Sequence, residues 1–323
     1  MTQPTPIALA VDFGGTSVKL AAVDPSAHIL ARTSFDTASA PGVDLWLDAV
    51  AAASRTLLSS LPAGAEFSAV GVGVPGFVDF AAGFVHDLAN VPGWTAVPLA
   101  DRLRDRFHLP VAVENDVNAM AAGECAHGAG AGFRDAVFVT LGTGVGGGIL
   151  INGRLHRGAH SMAGEIGHVS VDLHGPVSPM GIGGVEQYVG NRHIAEYAAA
   201  RLRRGVSSTL AQACSGNYDA LTPKHIAEAA AVGDALALET FDFVAMCLAS
   251  MLASVSYVLQ PEAYIIGGGV ANAGPVLFDP LKKHLVQRLS PHFLSRLQIL
   301  PAALGSDAGL VGCATLAFQA IPA

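Results

Sequence analysis

Charged residues are scarce in this sequence. Asp, Glu, Lys and Arg make up only 14% of the chain, and the lysines and arginines form no run. The formal net charge is −8, so the chain lacks the basic surface that a sequence-independent grip on nucleic-acid phosphates requires. We therefore expect no nucleic-acid partner. Hydrophobic residues make up 51% of the chain, which excludes intrinsic disorder and predicts a sizeable core.

Cysteines and targeting signals are also sparse. The four cysteines lie far apart in the sequence, at Cys125, Cys214, Cys247 and Cys313. Scattered single cysteines fit reduced thiols in a cytoplasm better than a disulfide framework or a cysteine metal site. The N-terminus has no basic region followed by a signal-length apolar segment, so we expect a cytoplasmic protein. The apolar run Phe243–Leu259 is short for a membrane span and contains serines, so it predicts a buried core helix.

The length of the chain predicts two lobes. Its 323 residues exceed the roughly 250 to 300 residues that one core usually serves, and a cleft between lobes is a natural ligand site. The first strands are predicted at Ile7–Asp12, Ser17–Asp24 and His28–Phe35, with Gly14-Gly15 as the first turn. The segment DAVFVTLGTGVGGGILING repeats this strand, glycine turn and strand order. The two halves therefore form a coarse internal repeat.

Further helices and strands alternate along the chain, which is typical of an α/β fold. The run AVGVGVPGFV predicts a buried strand that ends at Pro75-Gly76, and the region between Glu186 and Gln260 is mostly helical in pattern. The remaining predictions are a helix at Asp44–Leu61, strands at Pro110–Val113 and Tyr264–Ile266, and helices that begin near Val117 and at Ala308.

Two glycine-rich turns are candidate phosphate loops. In DFGGTSVK, the glycines let the main chain approach phosphate oxygens, and Asp12 is suited to hold a hydrated Mg²⁺. Such a turn alone also occurs in ordinary hairpins. The segment LGTGVGGG repeats the chemistry about half a chain later, and one loop from each lobe is what the β- and γ-phosphates of ATP need.

A third group of motifs reveals a family resemblance. GVPGFVD, NVPGW, ENDVN and AGEIGHVSVD follow the first loop in this order. Together with the two loops they resemble the ROK family of bacterial sugar kinases and sugar-responsive repressors, in the actin-like ATPase-fold superfamily. The resemblance covers nearly the whole chain. It implies an α/β, two-lobed actin-like ATPase (ribonuclease H-like) fold with a ligand cleft between the lobes. Residues 1–117 are expected to form the small lobe, with helix 307–323 packing back on it, and residues 118–306 the large lobe.

The resemblance also implies roles, position by position. Residues that match the family's phosphate and metal contacts are Asp12, which would hold Mg²⁺ through water, Gly14, Gly15 and Thr16. The second phosphate loop matches at Thr143 and Gly144, and the loop beside the adenosine at Gly267, Gly268 and Gly269. The sugar contacts match at Asn90, Asn115, Asp116, Glu165, His168 and Glu186, with a backbone contact at Gly76.

Asp116 stands out among these residues. It follows a predicted strand and precedes a helix, the corner where open α/β sheets bind ligands. An aspartate there is also a common N-cap. A sugar hydroxyl is a poor nucleophile, so a nearby carboxylate must accept its proton during phosphoryl transfer. Within this set of motifs Asp116 is interpreted as that general base.

The implied activity is ATP-dependent phosphorylation of a hexose at its 6-hydroxyl, with Mg²⁺ and with glucose favoured. An N-acetylhexosamine such as N-acetylmannosamine or N-acetylglucosamine, or another hexose, remains open, as does an actin-like enzyme with a different acceptor. A non-catalytic sugar sensor is the alternative of another class. Eleven residues precede Asp12, too few for the helix-turn-helix domain of the family's repressors. A homodimer is expected by default for such an enzyme.

The sequence departs from the family at one prominent place. Many members bind zinc with the EIGH histidine and three cysteines, but the matching stretch VSPMGIGGVEQY has no cysteine. We therefore expect no structural zinc, and expect the segment 172–184 to orient His168 instead, through a backbone carbonyl or a side chain such as Asp172 or His174. A substitute metal site of His168, His174 and Asp172 is the rival. In addition, Ser17 replaces a common lysine and Phe77 a common proline.

Overall fold

The computed structural model describes residues 5–88 and 91–322. The chain divides into two compact units. The first unit comprises residues 1–134, 148–164 and 303–323, and the second comprises residues 135–147 and 165–302. Each unit has its own sheet and its own set of helices.

The first unit is a sheet with helices on both faces. Its elements in the first stretch of chain are β1 (Ile7–Phe13), β2 (Ser17–Val23), β3 (Ile29–Asp36), α1 (Val43–Ser59), β4 (Phe67–Val74), β5 (Gly76–Asp79), β6 (Phe84–Leu88), β7 (Thr95–Val97), α2 (Leu99–Phe107), β8 (Val111–Asn115) and α3 (Asp116–His127). The main sheet has the order β3-β2-β1-β4-β8, and β5, β6 and β7 form a separate small sheet. Strands β1, β4 and β8 are parallel, so their carboxyl ends lie at one edge of the sheet.

Residue size along β1 explains how both faces of this sheet are covered. Leu9, Val11 and Phe13 belong to a core of large side chains that also includes residues of α1 and α2. Ala8 and Ala10 point to the opposite face, where small residues leave room for helices. The alternation of large and small residues therefore places a thick core on one face and closely packed helices on the other.

The last helices and strands of the chain follow in order. They are β9 (Ala136–Leu141), β10 (Val145–Ile151), β11 (Arg154–Leu155), β12 (Val177–Ser178), β13 (Gly181–Ile182), α4 (Glu186–Val189), α5 (Asn191–Arg203), α6 (Leu210–Ala213), α7 (Pro223–Ala231), α8 (Ala235–Leu259), β14 (Ala263–Gly267), α9 (Pro275–Val286), α10 (Pro291–Leu294), β15 (Gln298–Pro301) and α11 (Ala308–Gln319). Of these, β11 and α11 belong to the first unit, and β10 begins in the second unit and ends in the first.

Helix α11 lies against the small-residue face of the first sheet. A Cβ on Gly71 of β4 would come within 1.8 Å of the Cys313 carbonyl oxygen, so this glycine permits the close approach. Helices α3 and α11 also touch backbone to backbone, since a Cβ on Gly312 would lie 1.7 Å from the Ala119 carbonyl oxygen. Because of this packing, α3 belongs to the first unit together with α11. The predicted lobe boundary after residue 117 therefore differs from the observed division, which also places residues 148–164 in the first unit.

The second unit repeats the sheet plan of the first. Strands β10, β9, β14 and β15 are neighbours in that order, and β9, β14 and β15 are parallel. By length and composition α8 is apolar enough to cross a membrane, but 56% of its most apolar stretch is buried in the structure. It packs against α5, α7 and α9. These contacts make it a core helix of the second unit, as the serines and the length of the run predicted.

Some elements differ from the sequence prediction. The run AVGVGVPGFV contains two strands, because β4 ends at Val74 and β5 begins at Gly76 in a different sheet. The small sheet of β5, β6 and β7 and the short hairpin of β12 and β13 were not predicted. Their strands have two to five residues, too few to show a clear alternation of apolar and polar residues.

Candidate active site

The candidate residues of the first unit gather at the carboxyl edge of its sheet. In the strand register Asp12 of β1 pairs with Gly73 of β4, and Gly73 pairs with Glu114 of β8, one residue before Asn115 and two before Asp116. A Cβ on Gly73 would lie 3.5 Å from the Cα of Asp116. The parallel strands thus bring Asp12 and Asp116 to one edge although 103 residues separate them in sequence.

Asn115 and Asp116 form the corner between β8 and α3. Asn115, not Asp116, is the N-cap: its side-chain oxygen accepts from the main-chain N–H groups of Val117 and Asn118 at 2.9 and 3.1 Å. Asp116 is the first residue of the helix, and its carboxylate accepts from the Val117 N–H at 2.9 Å. Because N–H groups and the helix dipole favour a negative charge there, the corner suits an ionised carboxylate that can accept a proton. The N-cap interpretation of Asp116 is wrong.

Gly76 is tied to the same corner. The amide nitrogen of Asn115 donates to the Gly76 carbonyl oxygen at 3.2 Å. Gly76 has φ of +150°, and a Cβ there would lie 2.2 Å from the Asp87 carbonyl oxygen, so only glycine fits. The Gly76 backbone, which is predicted to contact the sugar, is therefore bound to Asn115, another predicted sugar contact. The other sugar contact expected in this region, Asn90, lies outside the described residues.

The first phosphate loop is the turn between β1 and β2. Gly15 and Thr16 are exposed, and a Cβ on Gly15 would meet no atom within 4 Å, which leaves open space over the loop. The loop is held by Thr37, whose hydroxyl donates to the Gly14 carbonyl oxygen at 2.7 Å and whose N–H donates to the Thr16 carbonyl oxygen at 2.9 Å. These bonds shape the turn and leave its outer side open to phosphate.

Asp12 sits beside this loop in a partly buried position. Burial raises its pKa above the ordinary value of 3.8, and the positive charge of Lys19 opposes the shift. Lys19 Nζ lies 3.9 Å from an Asp12 oxygen. Lys19 was missed in the sequence, although it lies two residues after Ser17 on the same face of β2. A single carboxylate fits Mg²⁺ that is held mainly by phosphate oxygens and water.

The candidate residues of the second unit surround Val145, which begins β10. The Glu186 carboxylate accepts from the Val145 N–H at 2.9 Å. A Cβ on Gly167 would lie 2.1 Å from the Val145 carbonyl oxygen, so this glycine lets the turn that carries Glu165 and His168 pack on Val145. Thr143 and Gly144 immediately precede Val145 in the second phosphate loop. The motifs EIGH, LGTG and GVEQY, which are separate in sequence, therefore meet at one residue.

The Gly267–Gly269 segment lies beside that loop. Gly267 ends β14 and pairs with Thr140 of β9, just before the second phosphate loop. Gly268 has φ of +86°, and a Cβ there would lie 2.2 Å from the Leu141 carbonyl oxygen. Gly268 and Gly269 are exposed. Both candidate nucleotide loops therefore leave the carboxyl ends of neighbouring parallel strands, the usual place for a ligand in such a sheet.

His168 lies beside Glu165, and hydrogen bonds join residues of the segment that follows it. His168 Nε2 lies 3.5 Å from a Glu165 carboxylate oxygen. In the segment 172–184, Asp172 accepts from the His174 N–H and from the Tyr188 hydroxyl, both at 2.9 Å. These two bonds lower the pKa of Asp172 below 3.8. Within residues 5–88 and 91–322, no group of three or more His, Cys, Asp or Glu side chains is placed to hold a metal ion.

Comparisons with known proteins agree with these motifs. The sequence profile of the ROK family matches residues 8–320. A glucokinase of Halalkalibacterium halodurans is 36% identical over 310 residues, 94% of this chain and 92% of that protein. A glucokinase of Thermotoga maritima is 36% identical over 313 residues, 95% of this chain and 96% of that protein.

A solved structure is similar over the same extent. A ROK family glucokinase from Streptomyces griseus, crystallised in complex with glucose and AMPPNP, is 36% identical and superposes with a TM-score of 0.80, covering 97% of this chain and 99% of that chain. The predicted α/β fold of the actin-like ATPase kind is confirmed by this similarity.

Proposed function

The chain belongs to the ROK family, and from this premise we propose that it is an ATP-dependent sugar kinase that phosphorylates a hexose, glucose first, at the 6-hydroxyl. The observation that carries the proposal is the 36% identity to glucokinases over nearly the whole chain. The solved relative bound to glucose and AMPPNP supports ATP as the phosphoryl donor.

Asp116 acts as the general base in the proposed reaction. Its carboxylate accepts the proton of the sugar 6-hydroxyl while the hydroxyl oxygen bonds to the γ-phosphorus and the bond to the β–γ bridging oxygen breaks, giving hexose 6-phosphate and ADP. The position of Asp116 at the first turn of α3, with the Val117 N–H on one of its oxygens, supports this role. Asn115 and the Gly76 backbone position the sugar beside it.

Three further residues bind the sugar. Glu165, His168 and Glu186 take its other hydroxyls, and charged acceptors are suited to a polyol because they make the stronger hydrogen bonds. Asn90 is proposed as another sugar contact by resemblance. This set favours a sugar over a carboxylate or peptide acceptor.

The nucleotide is held by glycine loops. Gly14, Gly15 and Thr16 bind phosphate oxygens, as do Thr143 and Gly144, and Gly267, Gly268 and Gly269 contact the adenosine. Mg²⁺ held with Asp12 through water neutralises phosphate charge when it is bound. A homodimer in the cytoplasm completes the proposal, since dimers are the commonest assemblies of such enzymes.

Coupled ADP release with a panel of hexoses and N-acetylhexosamines tests the proposal. We expect sugar-dependent turnover within about 1 to 100 s⁻¹, as is typical of kinases, with glucose the best acceptor. A preference for N-acetylmannosamine or N-acetylglucosamine would replace glucose but keep the kinase. Calorimetric binding of a sugar without ADP release from any sugar in the panel would replace the kinase with a sugar sensor.

A further inference from the structure

Glu114 is a buried carboxylate with no role in the proposed reaction. It lies in β8 immediately before Asn115, the last residue of that strand, and its side chain is only 2% exposed. A buried carboxylate is costly unless a cation and hydrogen bonds compensate for the lost water. The partners of Glu114 therefore have to be strong.

Arg157 supplies the compensating charge. Its Nε donates to one Glu114 carboxylate oxygen at 2.6 Å, within the first unit. The guanidinium lies 3.6 Å from the centroid of the Phe80 ring, a cation–π contact that fixes the plane of the side chain. The Arg157 carbonyl oxygen accepts from the Ala163 N–H at 3.0 Å, which holds the loop leading to Gly164. Arg157 is thus restrained at both its side chain and its backbone.

The other Glu114 oxygen binds residues that lie before and after Asp116 in the chain. It accepts from the Asn115 N–H at 2.9 Å and from the Asn118 side-chain amide at 3.1 Å. Asn115 in turn caps α3 and donates to the Gly76 carbonyl oxygen. One chain of hydrogen bonds therefore runs from Arg157 through Glu114 and Asn115 to Gly76. A branch of this chain joins Glu114 to Asn118, so the residue before Asp116 and the residue two positions after it are both bound to Glu114.

We propose that Arg157 is a positioning residue for the phosphoryl acceptor. By fixing the orientation of the Glu114 carboxylate it holds Asn115 and Asp116 in the geometry that the sugar requires. Arg157 itself touches no reacting atom in this arrangement. The inference rests on the proposed sugar kinase function and adds the residue that keeps its general base in place.

A neighbouring cavity makes the proposal open to chemical rescue. Arg157 lines a cavity of about 470 Å³ in the first unit, together with Phe80, Cys125 and Arg154. Truncation of Arg157 to alanine opens space for a free guanidinium ion between this cavity and Glu114. Arg154 lines the same cavity and has no bond to Glu114, so Arg154→Ala is a matched control.

The experiment compares wild type, Arg157→Ala and Arg154→Ala in sugar kinetics, in nucleotide binding, and in hydrogen exchange of Val117 and Asn118. In Arg157→Ala we expect kcat/KM for the sugar to fall about 10- to 100-fold, since small displacements of a reacting group cost this much. Nucleotide affinity should stay within about 3-fold, and the two amides should exchange faster because their cap is loosened. Guanidinium chloride at millimolar concentration, far below the molar range that unfolds proteins, should restore sugar turnover in Arg157→Ala only.

The outcomes separate this inference from the proposed function. Two results overturn the positioning role alone, provided that the wild type turns over sugar. One is an unchanged kcat/KM for the sugar in folded Arg157→Ala, and the other is an equal loss of sugar and nucleotide binding in that variant without rescue. If the wild type turns over no sugar, the proposed function is overturned. Hydrogen exchange of Val117 and Asn118 then still tests the positioning role, because unchanged exchange in Arg157→Ala counts against it. If Arg157→Ala does not fold, Arg157→Lys carries the test. It keeps the charge but lacks the Nε geometry, so a several-fold loss of sugar kcat/KM supports the role and wild-type kcat/KM overturns it.

Discussion

The Glu186 carboxylate accepts a hydrogen bond from the main-chain N–H of Val145, 2.9 Å away. This bond joins a proposed sugar ligand to the end of a proposed phosphate loop within the second unit. The contact is close, since a Cβ on Gly144 would lie 2.3 Å from the same carboxylate oxygen. The loop backbone therefore fixes the Glu186 side chain, and a change in one should alter the other.

Gly144→Ala should weaken sugar binding although residue 144 is assigned to the nucleotide. The new Cβ displaces the Glu186 carboxylate, so we expect the sugar Kd to rise about 10-fold, the effect of losing one charged hydrogen bond. Calorimetry without nucleotide measures this directly. Gly142→Ala is the matched control in the same loop, because a Cβ there meets no atom within 4 Å. Equal sugar affinity in both variants would refute the coupling.

Asp116→Asn should remove turnover and retain the substrate. The amide keeps an oxygen that can accept from the Val117 N–H, so the corner stays folded, but it cannot take up the hydroxyl proton. We expect kcat to fall roughly 100-fold or more, with the sugar Kd within about 3-fold of wild type. Steady-state kinetics and calorimetry on the same preparation check both values. A wild-type kcat in this variant would mean that another group is the base.

Asp12 should show a conflict between stability and function. Burial raises its pKa above 3.8, so the folded state binds this proton more strongly than the unfolded state does. Its contribution to stability is therefore full below pH 3.8 and is lost as the pH rises through the folded-state pKa. Asp12→Asn, which is neutral at every pH, should melt at a higher Tm than wild type at pH 7 and gain little near pH 3.8.

The same substitution should impair the use of MgATP and spare the sugar. A neutral amide is a poor ligand for hydrated Mg²⁺, so KM for MgATP should rise at least about 10-fold, while the sugar Kd without nucleotide stays at the wild-type value. In wild type, the apparent Mg²⁺ affinity should weaken as the pH falls toward the raised pKa. Asp12→Asn with wild-type MgATP kinetics would exclude Asp12 from the metal site.

The motif residues could be predicted from the sequence, but the side chains that contact them could not. Strand and loop positions such as Asp12, Gly144 and Asp116 could be predicted because glycine turns and a carboxylate at a strand end have recognisable patterns. Arg157 and Lys19 could not, because a lone arginine in a loop and a lone lysine in a strand look like ordinary surface charges until the fold supplies Glu114 and Asp12 as neighbours.

The predicted lobe boundary shows a similar limit. It came from the family resemblance and would place nearly all of α3 in the large lobe, but backbone contact with α11 places α3 in the first unit. That contact depends on small residues about 190 positions apart, such as Gly123 and Gly312. No local pattern reports such a pair.

The final prediction concerns the segment after His168, which we expect to be ordered without zinc. Structural zinc sites rely on thiolates and imidazoles, and the segment 172–184 has no cysteine. The hydrogen bond from the Tyr188 hydroxyl to Asp172 closes this segment instead. Burial and Asp172 raise the pKa of Tyr188 to about 12, and its hydrogen bonds lower the pKa of Asp172 below 3.8. The bond is therefore intact throughout the neutral range.

Tyr188→Phe should then loosen the segment and raise the sugar KM several-fold, with little change in KM for ATP. Tyr197→Phe is the matched control, because the Tyr197 hydroxyl bonds to Glu239 and Arg201 and not to this segment. Metal analysis of protein purified without a histidine tag should find far less than one zinc per chain. Zinc near one equivalent that is lost in His168→Ala would show that a metal orders the segment, because a hydrogen bond between Tyr188 and Asp172 needs none.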